Sequence, residues 1–123
     1  MRDSTAQTTT AATNPMTPAL RFDFDFLYYQ DGDAVVAHCL QTDTAAFGKD
    51  VASAREALRA SLELEIGSAV ADGDPQRVYA RRAPDDLWDK VADAERHLYV
   101  VGTFRVPGPQ RVDLKEHVLA GVA

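Results

Sequence analysis

The sequence contains a single cysteine, Cys39, among its 123 residues. No internal disulfide can form, and a zinc site would have to use other kinds of ligand. No apolar run approaches the roughly 18 residues that a membrane-spanning helix needs. Residues 1–19 contain no apolar stretch of the kind found in secretory signals. We therefore expect a cytoplasmic protein without a membrane segment.

Several sequence signatures of chemistry are absent too. The chain has no glycine-rich phosphate loop, no CxxC pair and no serine elbow. Positive charge is scarce, because 13 Lys and Arg residues stand against 19 Asp and Glu, which gives a net charge of −6. That balance opposes free binding to nucleic acid, whose affinity comes mostly from cations on phosphates. It favours solubility or a basic partner.

Residues 20–28 are the first strongly patterned stretch. Apolar and charged side chains alternate over most of its length, which predicts a half-buried β-strand. A two-residue turn at Asp31 and Gly32 follows, because glycine tolerates positive φ. The chain then returns in a second predicted strand over residues 34–40.

The turn implies a particular pairing between these two strands. Phe24 falls opposite Cys39, so that a large side chain meets a small one on the core face. Cys39 is then a core residue rather than a nucleophile. On the other face Asp25 falls opposite His38, and a cross-strand pair between them is the simplest account of both residues.

A short third strand over residues 44–47 and Gly48 precede a long helix. Asp50 is typical of a helix N-cap, since its carboxylate accepts backbone N–H bonds and faces the positive end of the helix. Arg55 and Arg59 lie off the apolar stripe of this helix, on a face that we expect to be solvated. The stripe consists of Val51, Ala54, Leu58, Leu62, Ile66 and Ala69.

The turn, cap and core residues of this region follow a known family pattern; they are Tyr28, Asp31, Gly32, Ala37, Leu40, Gly48, Asp50, Ala54, Leu58 and Leu62. The order of hairpin, short strand, glycine, cap and helix resembles the HicB-like antitoxin family over residues 22–66. Three positions depart from the family: residues 41–43 replace its Pro-Gly turn, Asp50 its Thr or Ser cap, and Ser53 its following Glu. The resemblance implies a partial ribonuclease H-like fold and a dimer. It also implies an antitoxin that occludes a small basic ribonuclease toxin by protein-protein contact.

A basic cluster and a second helix follow the long helix. The cluster consists of Arg77, Arg81 and Arg82, which can contact phosphate or an acidic partner, although a solvated linker or an edge strand is the simpler interpretation. Pro84 suits the first position of a helix. In that helix Trp88 is an anchor, either in the core or at an interface.

The C-terminal residues predict one more strand and a short terminal helix. Residues 98–106 are rich in β-branched and aromatic side chains, as strands are. Asp113 and Glu116 have the spacing of a capping box before apolar residues. Members of the HicB-like family often carry a DNA-binding motif here, but the predicted terminal helix has only Arg111 and Lys115 as cations. DNA-reading elements are more basic, so nucleic-acid binding is not favoured.

These patterns together predict one α+β domain. Its antiparallel sheet of three to four strands packs on one long helix, in the order β-β-β-α and then α-β, as in HicB-like proteins. Residues 1–19 form a disordered tail and residues 20–74 the β-β-β-α core. Residues 75–123 complete the same domain with a helix, a strand and a short terminal helix.

One face of the predicted sheet is too apolar for plain exposure to solvent, so a later element or another chain must cover it. Asp23 and Asp25 on that face can alternatively hold Mg²⁺ in a metal-dependent nuclease, although any outward strand face has this pattern. His97 and His117 stand alone in the sequence. The candidate partner-binding residues are Asp23, Asp25, Leu27, Tyr29, Val36, His38, Arg77, Arg81 and Arg82.

The sequence thus predicts a non-enzymatic binding module that forms a homodimer and uses no cofactor or metal. Two alternatives stay open. One is the metal-dependent nuclease, and the other is a stand-alone homo-oligomer in which a second copy buries the open sheet face.

Overall fold

The computed structural model describes residues 20–102 and 104–122. The tail expected over residues 1–19 lies outside the described residues. The strands are β1 (Leu20–Asp31), β2 (Ala34–Cys39), β3 (Thr44–Gly48), β4 (Arg96–Gly102) and β5 (Gln110–Val118), and the α-helices are α1 (Val51–Ala71) and α2 (Asp85–Asp89). Two 3₁₀ turns, Pro75–Tyr79 and Lys90–Asp93, flank α2.

In the described part of the chain the strands form one five-stranded sheet in the order β3-β2-β1-β5-β4. Neighbouring strands are antiparallel except β1 and β5, which run parallel. The α+β class is confirmed. The expectation of an antiparallel sheet of three to four strands is wrong, because a fifth strand enters between β1 and β4 and makes the sheet mixed.

That fifth strand is the segment for which a terminal helix was predicted. Val112, Leu114 and Val118 are buried on the helix side of the sheet, and they follow the period of two that a strand requires. Asp113 and Glu116, for which a capping box was predicted, have other partners in the structure. Asp113 binds arginines on one face, and Glu116 is buried on the other. Tertiary pairing with β1 therefore overrides the local helix signal.

The β1–β2 hairpin turns one residue later than expected. Asp31 pairs with Ala34, and Gly32 in the loop has a φ of +61°. Cys39 therefore lies opposite Phe26, and His38 opposite Leu27. The expected Phe24–Cys39 and Asp25–His38 pairings are wrong by two residues. An even shift leaves every side chain on its predicted face.

The main core lies between α1 and the sheet. Asp50 caps α1 as expected by accepting the Ser53 N–H at 2.8 Å, and the Ser53 hydroxyl in turn accepts the N–H of Asp50. Cys39 is a buried core residue as expected, and burial raises the pKa of its thiol to about 12. The buried stripe of α1 is Ala54, Leu58, Leu62, Ile66 and Ala69.

An ion pair between the half-exposed Arg55 of α1 and the buried Glu116 of β5 joins the helix to the sheet. The Arg55 guanidinium donates Nε–H to Glu116 Oε2 at 2.7 Å and Nη2–H to Oε1 at 2.9 Å. Tyr28 also donates its hydroxyl to Glu116, and burial raises the pKa of Tyr28 above its ordinary value. Arg55 is therefore half-exposed, and the expected solvated face holds only in part, because Glu116 is a strand residue that points at the helix.

Replacing Arg55 by Ala should destabilise the protein by about 2 kcal/mol, because the buried Glu116 carboxylate loses two charged hydrogen bonds from a half-exposed cation. Arg59→Ala is the matched control one turn along α1. Its partners Glu56 and Glu63 lie three and four residues away on the same helix, with side chains 58% and 16% exposed, so its loss should cost about 0.5 kcal/mol. Urea unfolding followed by circular dichroism measures both. Equal losses for the two variants would contradict a structural role for the Arg55–Glu116 pair.

Alanine substitutions at Gly48, which precedes α1, and at Gly67, which lies within it, should change the stability of the protein in opposite directions. A methyl group at Gly48 would overlap the backbone nitrogen of Ala54 and the hydroxyl of Ser53, whereas Gly67 has open space around it. We expect Gly48→Ala to cost about 2 kcal/mol through overpacking. Gly67→Ala should add about 0.5–1 kcal/mol, because alanine favours a helix interior. The same unfolding assay separates them, and a stabilised Gly48→Ala would contradict the close approach of β3 to the start of α1.

Candidate functional site

The sheet face opposite α1 is divided into a covered half and an open half. The chain from Ala83 through α2 covers the β1–β2 half, where Leu27 and Leu40 are fully buried. Leu87, Trp88 and Val91 pack against them from α2 and the turn that follows. A later element thus covers part of the apolar face, which was one of the two expected solutions. Trp88 is half-buried in this layer.

The covered half contains four of the predicted partner-binding residues. Leu27 and Val36 have almost no exposed surface, and His38 is about nine-tenths buried. His38 Nε2 lies 2.8 Å from Asp43 Oδ1, and its Nδ1 lies 3.1 Å from the Tyr29 hydroxyl. These side chains contact their own chain. Leu27, Val36 and His38 therefore have little surface available to a partner in this structure, and the α2 layer packs directly against Leu27.

The open half carries charged side chains of β1 and β5. Arg21 lies 2.7 Å from Asp113 Oδ2 and 3.4 Å from Asp23. Arg111 donates Nε–H to Asp113 Oδ1 at 2.8 Å, and this hydrogen bond lowers the pKa of Asp113. A shallow cavity of about 150 Å³ lies among these groups, and its lining also includes Tyr99 and Lys115. Asp23 is the exposed carboxylate of the predicted set.

Asp25 belongs to a line of three side chains across β1, β5 and β4. Its Oδ2 lies 2.7 Å from His117 Nε2, and His117 Nδ1 lies 2.8 Å from His97 Nδ1. Gln41 anchors the other end, because its amide donates to Asp25 Oδ1 at 2.7 Å and accepts the Asp25 backbone N–H at 2.6 Å. The expected Asp25–His38 pair is therefore replaced by Asp25–His117.

The hydrogen bonds of this line select one tautomer of neutral His117. An ionised carboxylate only accepts hydrogen bonds, so His117 carries its proton on Nε2, beside Asp25. In neutral His117 the lone pair then sits on Nδ1 and points at His97. His117 is 6% exposed while His97 is exposed. The arrangement presents a buried, oriented imidazole nitrogen to a second imidazole at the surface.

The expectation that His97 and His117 stand alone is wrong. The β4–β5 register pairs them directly, and a sequence signal for that pairing existed. A hairpin centred on Pro107 in the Pro-Gly-Pro turn places position 97 opposite position 117. The helix predicted for the last segment is incompatible with this pairing, because a helix cannot form the cross-strand hydrogen bonds that place the two histidines side by side.

The basic cluster is engaged by nearby acidic groups. Arg77 binds Asp72 at 2.7 Å, and Arg81 lies 3.9 Å from Glu65. Arg82 binds Asp85 at 2.8 Å and lies over the Trp88 ring, 4.5 Å from its centre. All three remain exposed, and their role in binding a partner stays a prediction.

Strand β4 is exposed along its whole length. Leu98, Tyr99, Val100 and Val101 are between 45% and 58% exposed. Because β4 lies at the edge of the sheet, one side of its backbone is unpaired within the described residues. Such an edge is a template for pairing with another chain unless something protects it. The sequence predicted a strand here but not its exposure.

Metal binding by clustered carboxylates was the basis of the nuclease alternative. Asp25 is engaged by His117 and Gln41, and Asp23 by Arg21. Among residues 20–102 and 104–122, no group of three or more His, Cys, Asp or Glu side chains is placed to hold a metal ion. In the same ranges, no helix combines the length and apolar composition needed to cross a bilayer.

No protein-family model, curated protein or solved structure matches this chain.

Proposed function

We propose that this chain is a cytoplasmic, non-enzymatic protein-binding module that resembles a HicB-like antitoxin and acts as a homodimer. The exposed edge strand β4 is the observation that carries the proposal. Seven consecutive exposed residues with apolar side chains on both faces suit strand addition, in which main-chain hydrogen bonds supply affinity and side chains supply specificity.

In the proposed dimer the β4 strands of two copies pair antiparallel and extend each sheet into the other. An interface of this kind is isologous, so the same patch serves both chains. Leu98 and Val100 face the α1 side of the sheet, where α1 leaves an apolar cavity of about 180 Å³. Phe104 and Leu114 line that cavity. Pairing would place the apolar edge strand of the second copy beside this cavity and remove the exposed surface of both β4 strands from water.

The proposed partner is a small basic ribonuclease toxin, bound by protein-protein contact. The segment of α2 and its following turn supports this choice, since residues 85–95 contain five acidic groups and one lysine. A field of one sign steers a partner of the opposite sign and raises its association rate. The acidic residues, all exposed, are Asp85, Asp86, Asp89, Asp93 and Glu95.

The dimer proposal predicts that Leu98→Lys combined with Val100→Lys converts a dimer into a monomer, because paired edges would bring like charges together. Light scattering coupled to size exclusion should give twice the chain mass for the unchanged protein and the mass of one chain for the variant. Leu64→Lys is the matched control, since Leu64 is an exposed leucine on α1. A monomeric unchanged protein, or a variant that remains dimeric, would rule out pairing through β4.

The partner proposal predicts that the chain copurifies with a small basic protein encoded beside it and suppresses that protein's cleavage of RNA. Reversing charge with Asp86→Lys and Asp89→Lys should slow association at low salt on the order of tenfold. Asp31→Lys with Asp33→Lys, in the exposed β1–β2 turn, makes the same change in net charge and should have a smaller effect. Absence of such a neighbour, or of a complex with it, would contradict the antitoxin assignment while leaving the dimer intact.

A further inference from the structure

The Asp25–His117–His97 line has the organisation of a supported metal ligand pair. Histidines that bind metals commonly donate their other ring N–H to a carboxylate, which fixes the tautomer and the ring orientation. His117 does so toward Asp25 at 2.7 Å. Gln41 holds that carboxylate with two further hydrogen bonds. The Nδ1 lone pair of His117 is therefore oriented before any ligand arrives.

His97 supplies the second nitrogen from the neighbouring strand. The two Nδ1 atoms lie 2.8 Å apart, and the rings are inclined at 71°. In the absence of a ligand one proton can be shared between these nitrogens. If His97 instead carries its proton on Nε2, both Nδ1 atoms offer a lone pair, and a cation beside the line that joins them, about 2.1 Å from each nitrogen, replaces the shared proton.

We propose that His97 and His117 bind one divalent transition-metal ion through their Nδ1 atoms, with Asp25 as the positioning residue. Water completes the coordination shell on the exposed side, next to His97. This binding goes beyond the proposed antitoxin function and does not depend on it. Two protein ligands are fewer than the three usual for a protein metal centre, so we expect the bound ion to exchange readily with ions in solution.

The separation of the nitrogens indicates which ion fits. Two nitrogens 2.8 Å apart, each about 2.1 Å from a common ion, subtend roughly 85° at that ion. Adjacent positions of a square-planar or octahedral shell have that angle, and Cu²⁺ and Ni²⁺ adopt such shells with imidazole ligands. Tetrahedral Zn²⁺ would require the rings to move apart. The site should therefore prefer Cu²⁺ and Ni²⁺ to Zn²⁺.

The test is isothermal titration of the untagged full-length chain with CuCl₂, NiCl₂ or ZnCl₂ in a buffer that does not chelate metals. We expect one Ni²⁺ or Cu²⁺ per chain and at least tenfold weaker binding of Zn²⁺ relative to Cu²⁺. His97→Ala is the decisive variant, because His97 is exposed and its loss should leave the fold intact; it should weaken binding at least tenfold. His38→Ala removes the third histidine of the sequence and should leave binding unchanged.

Two readouts separate ligation from mere support of the fold. Electron paramagnetic resonance of the Cu²⁺ complex should show two coupled imidazole nitrogens, and one in His97→Ala. Asp25→Asn should weaken Ni²⁺ binding about tenfold, the usual effect of losing a supporting carboxylate, and shift the His117 ring ¹⁵N signals toward the other tautomer. Unchanged Ni²⁺ affinity in His97→Ala would overturn the assignment, as would loss of affinity in a His38→Ala variant whose circular dichroism matches that of the unchanged protein. Equal affinity for Zn²⁺ and Cu²⁺ would overturn the geometric preference.

Discussion

Parallel pairing between β1 and β5 is the interaction on which the Arg55–Glu116 ion pair and the Asp25–His117–His97 line depend. The register sets Leu27 beside His117 and Phe26 beside Glu116. Because successive residues of β5 point to opposite faces, one strand sends its carboxylate to Arg55 under α1 and its imidazole to Asp25 on the other side. A slip of one residue would exchange these faces and bury a histidine where the ion pair now lies.

The two faces of the sheet use different means to exclude water. On one face α1 covers a continuous apolar layer. On the other, a short helix and two 3₁₀ turns cover only the β1–β2 half, and the remaining half is charged and open. β4 lies beyond the reach of both coverings. Its exposed apolar side chains follow from this geometry, and the proposed dimer depends on them.

The sequence predicts well where the signal is local. The alternation of residues 20–28, the cap at Asp50 and the stripe of α1 depend on neighbouring residues, and each appears in the structure. The roles of Arg55 and His117 could not be read in the same way, because each is defined by a partner far along the chain. The helix predicted for the last segment was the decisive error. The residues of this segment fit both the spacing of a capping box and the alternation of a strand. Only pairing with the otherwise unpaired edge of β1 selects the strand. Because that segment was predicted to be helical, neither the His97–His117 pair nor the Arg55–Glu116 ion pair could be predicted.

The residues paired between β1 and β5 lie about ninety positions apart in the sequence, as Leu20 and Gln110 do. Closing so long a loop lowers the entropy of the chain before the contact between the strands stabilises the fold. Contacts between residues so distant in sequence therefore slow folding. The hairpin of β1 and β2, with β3 and α1, can assemble from near neighbours. During that interval one edge of β1 is unpaired and Glu116 has not yet met its arginine. We therefore expect β5 to dock late, so that the strand that completes the core is also the one whose absence leaves the chain most prone to aggregation.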